Sequence, residues 1–182
     1  MLVKKILKNN KAFSLLEVSL AMGIIVIGIL GVFSLVIQNV QVQSINKNYL
    51  IASMLAQEGI ELVRNKRDSN WMDTDKPDWY EGITDGDNNF TVDFNNNGVF
   101  DFSVDDISSA RLYLDSDNFY THKSSGNTLT PFSRLISISD FTDKNGDLKE
   151  DVFKVSSRVE WEIQGKHFNY VAETLLYNWR GL

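Results

Sequence analysis

The sequence contains no cysteine, only two prolines and only two histidines. Without cysteine the chain forms no disulfide and offers no thiolate to a metal or a substrate. The histidines, His122 and His167, lie far apart, and the short motifs of zinc peptidases, serine hydrolases, P-loop proteins and dinucleotide-binding proteins are absent. The carboxylates that could pair as acid and base crowd a turn-rich stretch with no sign of burial. The sequence therefore predicts that the protein is not an enzyme.

Acidic residues are absent from the first twelve positions, which carry four lysines, Lys4, Lys5, Lys8 and Lys11. From residue 66 onward the balance reverses, with 12 Lys and Arg against 21 Asp and Glu. The two ends of the chain are therefore expected to face different surroundings. An acidic C-terminal part also argues against nucleic acid as a partner, because phosphates require a basic footprint.

A run without charged residues extends from Val18 to Ile37. About 20 apolar helical residues cross a bilayer core, and basic residues tend to stay on the cytoplasmic side. The run therefore predicts a single membrane span with a cytoplasmic N-terminus and the rest of the chain outside. An ordinary cleaved secretory signal is the alternative, but its apolar stretch is usually roughly 7–15 residues long.

The helical pattern continues beyond the apolar run to Asn65, since no proline occurs before Pro77. Apolar and small residues recur there at steps of three and four, as on one face of a helix. These residues are Ile45, Tyr49, Ala52, Leu55, Ala56, Gly59, Leu62 and Val63. One helix from Phe13 to Asn65 would be about 80 Å long at 1.5 Å per residue.

Glu17 lies at the start of the apolar run, one helical turn after Phe13. A carboxylate within a membrane span costs several kcal/mol unless it is paired. One interpretation is an interfacial acid that the helix dipole favours at the helix start. The other is that Glu17 requires a cation, and that this cation is a newly made N-terminus.

The segment from Lys11 to Val18, KAFSLLEV, resembles the prepilin signature of type IV pilins and pseudopilins. In that family a membrane-bound prepilin peptidase cuts before the Phe and methylates the new amine. The resemblance implies cleavage between Ala12 and Phe13, N-methylation of Phe13, and pairing of Glu17 with the amine of a neighbouring subunit. Ala12 stands where the family usually has Gly. The apolar run also lacks the proline that kinks many major pilins, which fits a minor pilin better.

The stretch from residue 66 to 109 is acidic and rich in Asp, Asn and Gly, a composition typical of turns. Part of it resembles the first half of a calcium-binding loop, with oxygen ligands at alternate positions before a glycine. The predicted calcium ligands are Asp93, Asn95, Asn97 and Asp101. The alternative is a set of Asx turns that join strands. The aromatic residues of this stretch either form a sugar-binding or adhesive surface or hold a long loop on the core.

The residues from 110 to 182 predict an antiparallel sheet of three to five strands. Lys154–Gln164 alternates strictly between apolar and polar residues, which indicates a strand with one buried face. A two-residue turn at Gly165-Lys166, with glycine first as a type II′ hairpin prefers, would lead to a returning strand, His167–Tyr177. Further candidate strands are Ala110–Asp115, Arg134–Phe141 and Asn118–Lys123.

The fold predicted from these parts is α+β, with a long N-terminal helix packed against a C-terminal antiparallel sheet. Its parts are a cleaved leader, a membrane or filament-core half of the helix, an amphipathic half, an acidic connection and a sheet-containing head. They span residues 1–12, 13–37, 38–65, 66–109 and 110–182. Pilins are built in this way, and the segment from Val155 to Arg180 looks like the end of PilV-type minor pilins.

The family resemblance implies a minor pilin of a type IV pilus. Its partners would be prepilin peptidase, other pilin subunits and an assembly platform in the inner membrane. A pseudopilin of a type II secretion or DNA-uptake system shares the same chemistry. An alternative of another class is a single-pass anchored module that binds calcium or a glycan.

Overall fold

The computed structural model describes residues 14–73, 75, 78–83, 89–94, 99–104, 106–142 and 148–178. One helix is followed by seven strands, and the predicted α+β class is confirmed. The helix α1 spans Leu15–Met72. The strands are β1 (Asn89–Val92), β2 (Phe100–Asp101), β3 (Arg111–Leu114), β4 (Tyr120–Thr121), β5 (Thr128–Thr142), β6 (Leu148–Ile163) and β7 (Lys166–Tyr177). The chain divides into two compact units, Met1–Ile45 and Asn46–Leu182.

Helix α1 begins after Ser14 and continues past the expected end at Asn65 to Met72. No proline interrupts it, so its backbone hydrogen bonds form without a gap. The extra length follows from tertiary contacts. The Asn70 side-chain amide is buried and donates to the carbonyl oxygens of Trp79 and Glu81, at 3.1 and 2.8 Å. These bonds hold the chain that follows against the last turns of the helix.

In the second unit α1 packs on the sheet through one face. Its buried residues there are Ala52, Leu55, Ala56, Gly59, Ile60, Val63 and Asn70. The approach is closest at Gly59, where a Cβ atom would lie 2.6 Å from Ser157 Oγ and 3.0 Å from Ile136 Cδ1. Five of the eight residues predicted for the amphipathic face are buried, whereas Tyr49 is 39% exposed and Ile60, which was not predicted, is buried. Gly59 sets the distance between helix and sheet.

The sheet is antiparallel and centres on two long strands, β5 and β6, which pair from Phe132↔Trp161 onward. Strand β7 pairs with the other side of β6, while β1 and β3 pair with the other side of β5. Strands β4 and β2 pair with β3 and β1 respectively. Five of the seven strands lie within residues 110–182, as predicted. The acidic stretch contributes the other two, β1 and β2.

The hairpin between β6 and β7 differs from the prediction by one residue. Ile163 pairs with Lys166, so the turn residues are Gln164 and Gly165 rather than Gly165 and Lys166. Both have positive φ, 52° and 76°. That combination defines a type I′ turn, whose twist matches the flanking strands, and not the expected type II′. The alternation of β6 is as predicted, with Val155, Ser157, Val159 and Trp161 buried.

Most aromatic residues of the acidic stretch hold that stretch on the core, the second of the two interpretations. Trp79 and Phe90 are buried. The Phe90 ring stacks on Phe100 with centroids 4.7 Å apart, and Phe102 packs against the same cluster. Phe94 and Tyr80 are more exposed, at 61% and 37%.

Candidate functional site

The first candidate site is the apolar part of α1. Its large side chains from Leu15 to Val42 are exposed, as illustrated by Ile27 at 72% and Phe33 at 61%. This is the one helix among the described residues that is long and apolar enough to cross a membrane. Burial of this surface in water-free surroundings is strongly favourable, at about 25 cal/mol per Å² of apolar area. The segment is therefore consistent with a single-pass membrane anchor.

Glu17 lies in the first turn of this helix. The carbonyl oxygen of Ser14 accepts hydrogen bonds from the backbone N–H groups of Glu17 and Val18, at 2.9 and 3.1 Å. In this position the helix dipole stabilises a carboxylate by about 0.3–1 kcal/mol. Within the described part of the chain, no cation lies at ion-pair distance from Glu17. The predicted cleavage residues, Ala12 and Phe13, lie outside the described residues.

The second candidate site is a charge cluster between α1 and the sheet, formed by the buried Asp93 and Arg134 and the partly buried Glu58 and His122. Arg134 is fully buried in β5. Its guanidinium donates from Nη1 to the carbonyl oxygen of Leu55, at 3.2 Å, and to Glu58 Oε1, at 3.1 Å. From Nη2 it donates to the carbonyl oxygen of Val92 at 2.6 Å. One side chain thus joins the helix to the last residue of β1.

Asp93 is the centre of this cluster. Its Oδ1 lies 2.5 Å from Nδ1 of His122 and 3.9 Å from Nη2 of Arg134. Its Oδ2 accepts from the Thr121 hydroxyl and from the His122 backbone N–H, at 2.8 and 2.9 Å. Burial raises the pKa of Asp93, but these bonds and the charge of His122 together lower that pKa below its ordinary value.

The His122 ring contacts an acceptor oxygen on each side. Its Nδ1 faces the Asp93 carboxylate, and its Nε2 lies 3.1 Å from the carbonyl oxygen of Arg134. Both nitrogens must carry hydrogen for both bonds to form with an ionised Asp93. In catalytic Asp–His pairs the second nitrogen accepts a substrate proton. In this protein the second nitrogen, Nε2, contacts a backbone carbonyl oxygen, so the geometry indicates a structural role for His122.

Two of the four predicted calcium ligands are brought near each other. Asp93 and Asp101 line one cavity of about 140 Å³, together with His122 and Lys123. Both oxygens of Asp93 are engaged as described, and Asp101 Oδ1 accepts from the backbone N–H and the hydroxyl of Ser103. The described residues contain no group of three His, Asp or Glu placed to hold a metal. Asn95 and Asn97 lie outside the described residues, and calcium binding stays a prediction.

The charge cluster was not found from the sequence, because Asp93, His122 and Arg134 are separated by long stretches of chain. One signal was present. Phe132, Arg134, Ile136 and Ile138 alternate along β5, and all four are buried. An arginine at an inward-facing position of a strand indicates a buried partner, since an unpaired buried charge is strongly unfavourable.

No protein-family model, no curated protein and no solved structure matches the chain.

Proposed function

We propose that the chain is a minor pilin, a structural subunit of a type IV pilus or a pilus-like filament. In this proposal prepilin peptidase cuts between Ala12 and Phe13 and methylates the new amine. The subunit then assembles through its N-terminal helix. The observation that carries the proposal is an exposed helical surface, uncharged from Val18 to Ile37, that is preceded by the carboxylate of Glu17 and by four lysines within residues 1–12.

The exposed helix suits contact with other helices as well as with lipid. A shallow apolar depression on one face is lined by Ile25, Gly28, Ile29, Val32, Phe33 and Val36. A Cβ atom at Gly23, Gly28 or Gly31 would meet no other atom within 4 Å. Small residues let helix backbones approach closely where the surroundings are apolar. Neighbouring pilin helices in a filament core would supply such partners.

Glu17 would favour movement of the subunit from the bilayer into the filament. A carboxylate in an apolar environment is strongly unfavourable alone and much less so when it is paired. The methylated amine of Phe13 on a neighbouring subunit would supply that pair as the subunit moves from the bilayer into the filament. Processing therefore precedes assembly, since the amine does not exist at Phe13 before the cut.

Direct contacts join the sheet-containing head to helix α1. Arg134 links a sheet strand to Leu55 and Glu58 on α1, and Gly59 allows direct contact with Ser157. A subunit held in a filament by its helix would transmit force to its head through these contacts. In this proposal the protein crosses the cytoplasmic membrane once, with its head outside, and later forms part of a filament. Its further partner would be the assembly platform in the inner membrane.

Shearing of surface filaments from the native cells tests this proposal. We expect the chain in the sheared filament fraction, at low abundance relative to the main subunit, because it is a minor component.

Two other outcomes would contradict the pilus proposal. A chain absent from filaments whose deletion stops secretion or DNA uptake would identify a pseudopilin. A chain that stays in the membrane fraction, uncut and without effect on any filament, would identify an anchored binding module.

A further inference from the structure

A polar trough crosses the face of the sheet opposite helix α1. The cavity has a volume of about 490 Å³. Its lining residues are Asn89, Asp106, Ile107, Leu135, Ser137, Ser156, Arg158, Asn169 and Val171. This volume lies within the range of about 300–1,000 Å³ that is typical of small-molecule sites. The floor belongs to strands β1, β5, β6 and β7, so it is rigid.

The trough exists because two small residues meet at its centre. Ser137 on β5 pairs directly with Ser156 on β6, and Asn89 on β1 pairs with Ser137 from the other side. The next row of the same face carries larger side chains, Leu135 and Arg158, which are also paired. Directly paired residues of an antiparallel sheet point to the same face. The serines therefore form the low floor between higher walls.

A loop forms one wall of the trough and places a carboxylate there. The backbone N–H of Ser109 donates to the carbonyl oxygen of Asp106 at 3.0 Å. The Ser108 hydroxyl donates to Asp106 Oδ2 at 2.7 Å. Hydrogen bonds from Ser108 lower the pKa of Asp106, so this exposed carboxylate remains ionised at neutral pH.

The polar groups that line the trough favour a ligand rich in hydroxyl groups. The hydroxyls of Ser137 and Ser156 form no hydrogen bond with another described residue. Arg158 pairs with Glu160, and its guanidinium has five N–H donors in total. Carboxylate, guanidinium and amide groups match the paired donors and acceptors of vicinal hydroxyls. Asp106 and the adjacent Glu160 carry negative charge, which disfavours an anionic ligand.

We propose that this trough binds a neutral saccharide. Ser137 and Ser156 form the floor under the sugar ring, and Asp106 and Arg158 bind its hydroxyl groups from the sides. The inference does not depend on filament assembly, because every residue in it belongs to the unit that contains the sheet.

Glycan binding by the purified full-length chain tests this inference. The probe is an array of neutral and acidic oligosaccharides, followed by calorimetric titration of the best neutral binder. The protein is kept in lauryldimethylamine oxide, because maltoside detergents carry a sugar of their own. We expect binding of a neutral oligosaccharide, lost in Ser156→Leu and about tenfold weaker in Asp106→Asn, the loss of one charge-assisted hydrogen bond.

The matched control is Ser139→Leu, the same change on the same face of the sheet, at a position of β5 outside the trough. It should bind like the unchanged protein. Because Asp106 is on an exposed loop, Asp106→Asn is expected to fold. It therefore tests saccharide binding even if Ser156→Leu fails to fold. Three results would overturn the inference: no binding at millimolar sugar, preference for acidic glycans, or equal binding by Asp106→Asn and the unchanged protein.

Discussion

Replacement of Glu17 by glutamine is expected to leave processing intact and to lower incorporation of the chain into filaments by at least about tenfold. Glutamine has the shape of glutamate but no charge, so it cannot form an ion pair with the amine of Phe13. In the proposed processing the peptidase cuts before Phe13, upstream of the altered residue. The membrane fraction should therefore contain normally cut protein that fails to leave it.

The size of the effect separates two roles of Glu17. As an acid in the first turn of α1, Glu17 stabilises the helix through the dipole by about 0.3–1 kcal/mol, less than a tenfold change. As the partner of a desolvated amine it contributes several kcal/mol, because an isolated charge in an apolar region costs that much. The measurement is the ratio of sheared-filament to membrane-bound chain by quantitative immunoblot.

The matched control for this prediction is Glu61→Gln. It is the same chemical change at an exposed helical site, where the carboxylate pairs with Arg64 on the same helix. Such pairs contribute about 0.2–0.5 kcal/mol. Glu61→Gln should therefore incorporate normally. Normal incorporation of Glu17→Gln as well would rule out the pairing mechanism.

Substitution of Arg134 by methionine is expected to destabilise the head by about 3–5 kcal/mol, the cost of breaking a buried ion pair by removal of one partner. Methionine fills much of the same space, so the loss is electrostatic more than steric. It removes the bonds to the carbonyl oxygens of Leu55 and Val92 and leaves Asp93 without its nearby guanidinium. A domain of ordinary stability, about 5–15 kcal/mol, loses much of its margin.

Urea unfolding followed by tryptophan fluorescence measures this effect, because Trp79 and Trp161 are buried in the head. Arg158→Met is the matched control. Its side chain is 52% exposed on the opposite face of the sheet, and such surface changes usually stay within about 0.5 kcal/mol. A cost below about 1 kcal/mol for Arg134→Met would show that the cluster does not hold helix and sheet together.

The parts of the fold that follow from local patterns were predictable from the sequence. The run from Val18 to Ile37 and the stripe from Ala52 to Val63 defined the helix, and the strict alternation of β6 defined the central strand. The end of the helix was not predictable in this way. It depends on the Asn70 side chain and its bonds to Trp79 and Glu81, which are contacts between distant residues.

The type of the β6–β7 turn and the charge cluster were also not predictable from local sequence patterns. The position of Gly165 indicated a two-residue hairpin, but its type depends on Gln164, a non-glycine residue with positive φ. Non-glycine residues with positive φ are uncommon, so the prediction, which relied on glycine alone, placed the turn one residue too far along the chain. The cluster around Asp93 requires three strands and the helix to meet, and only the full topology brings His122 and Arg134 to it.

In the proposed mechanism, proteolysis creates the cation that Glu17 requires. The intact mass of the protein extracted from the membranes of its native cells tests this step. We predict a chain that begins at Phe13, lacks residues 1–12 and carries one added methyl group. A chain that still begins at Met1 and carries no methyl group would contradict this mechanism, because the amine of Phe13 would never form.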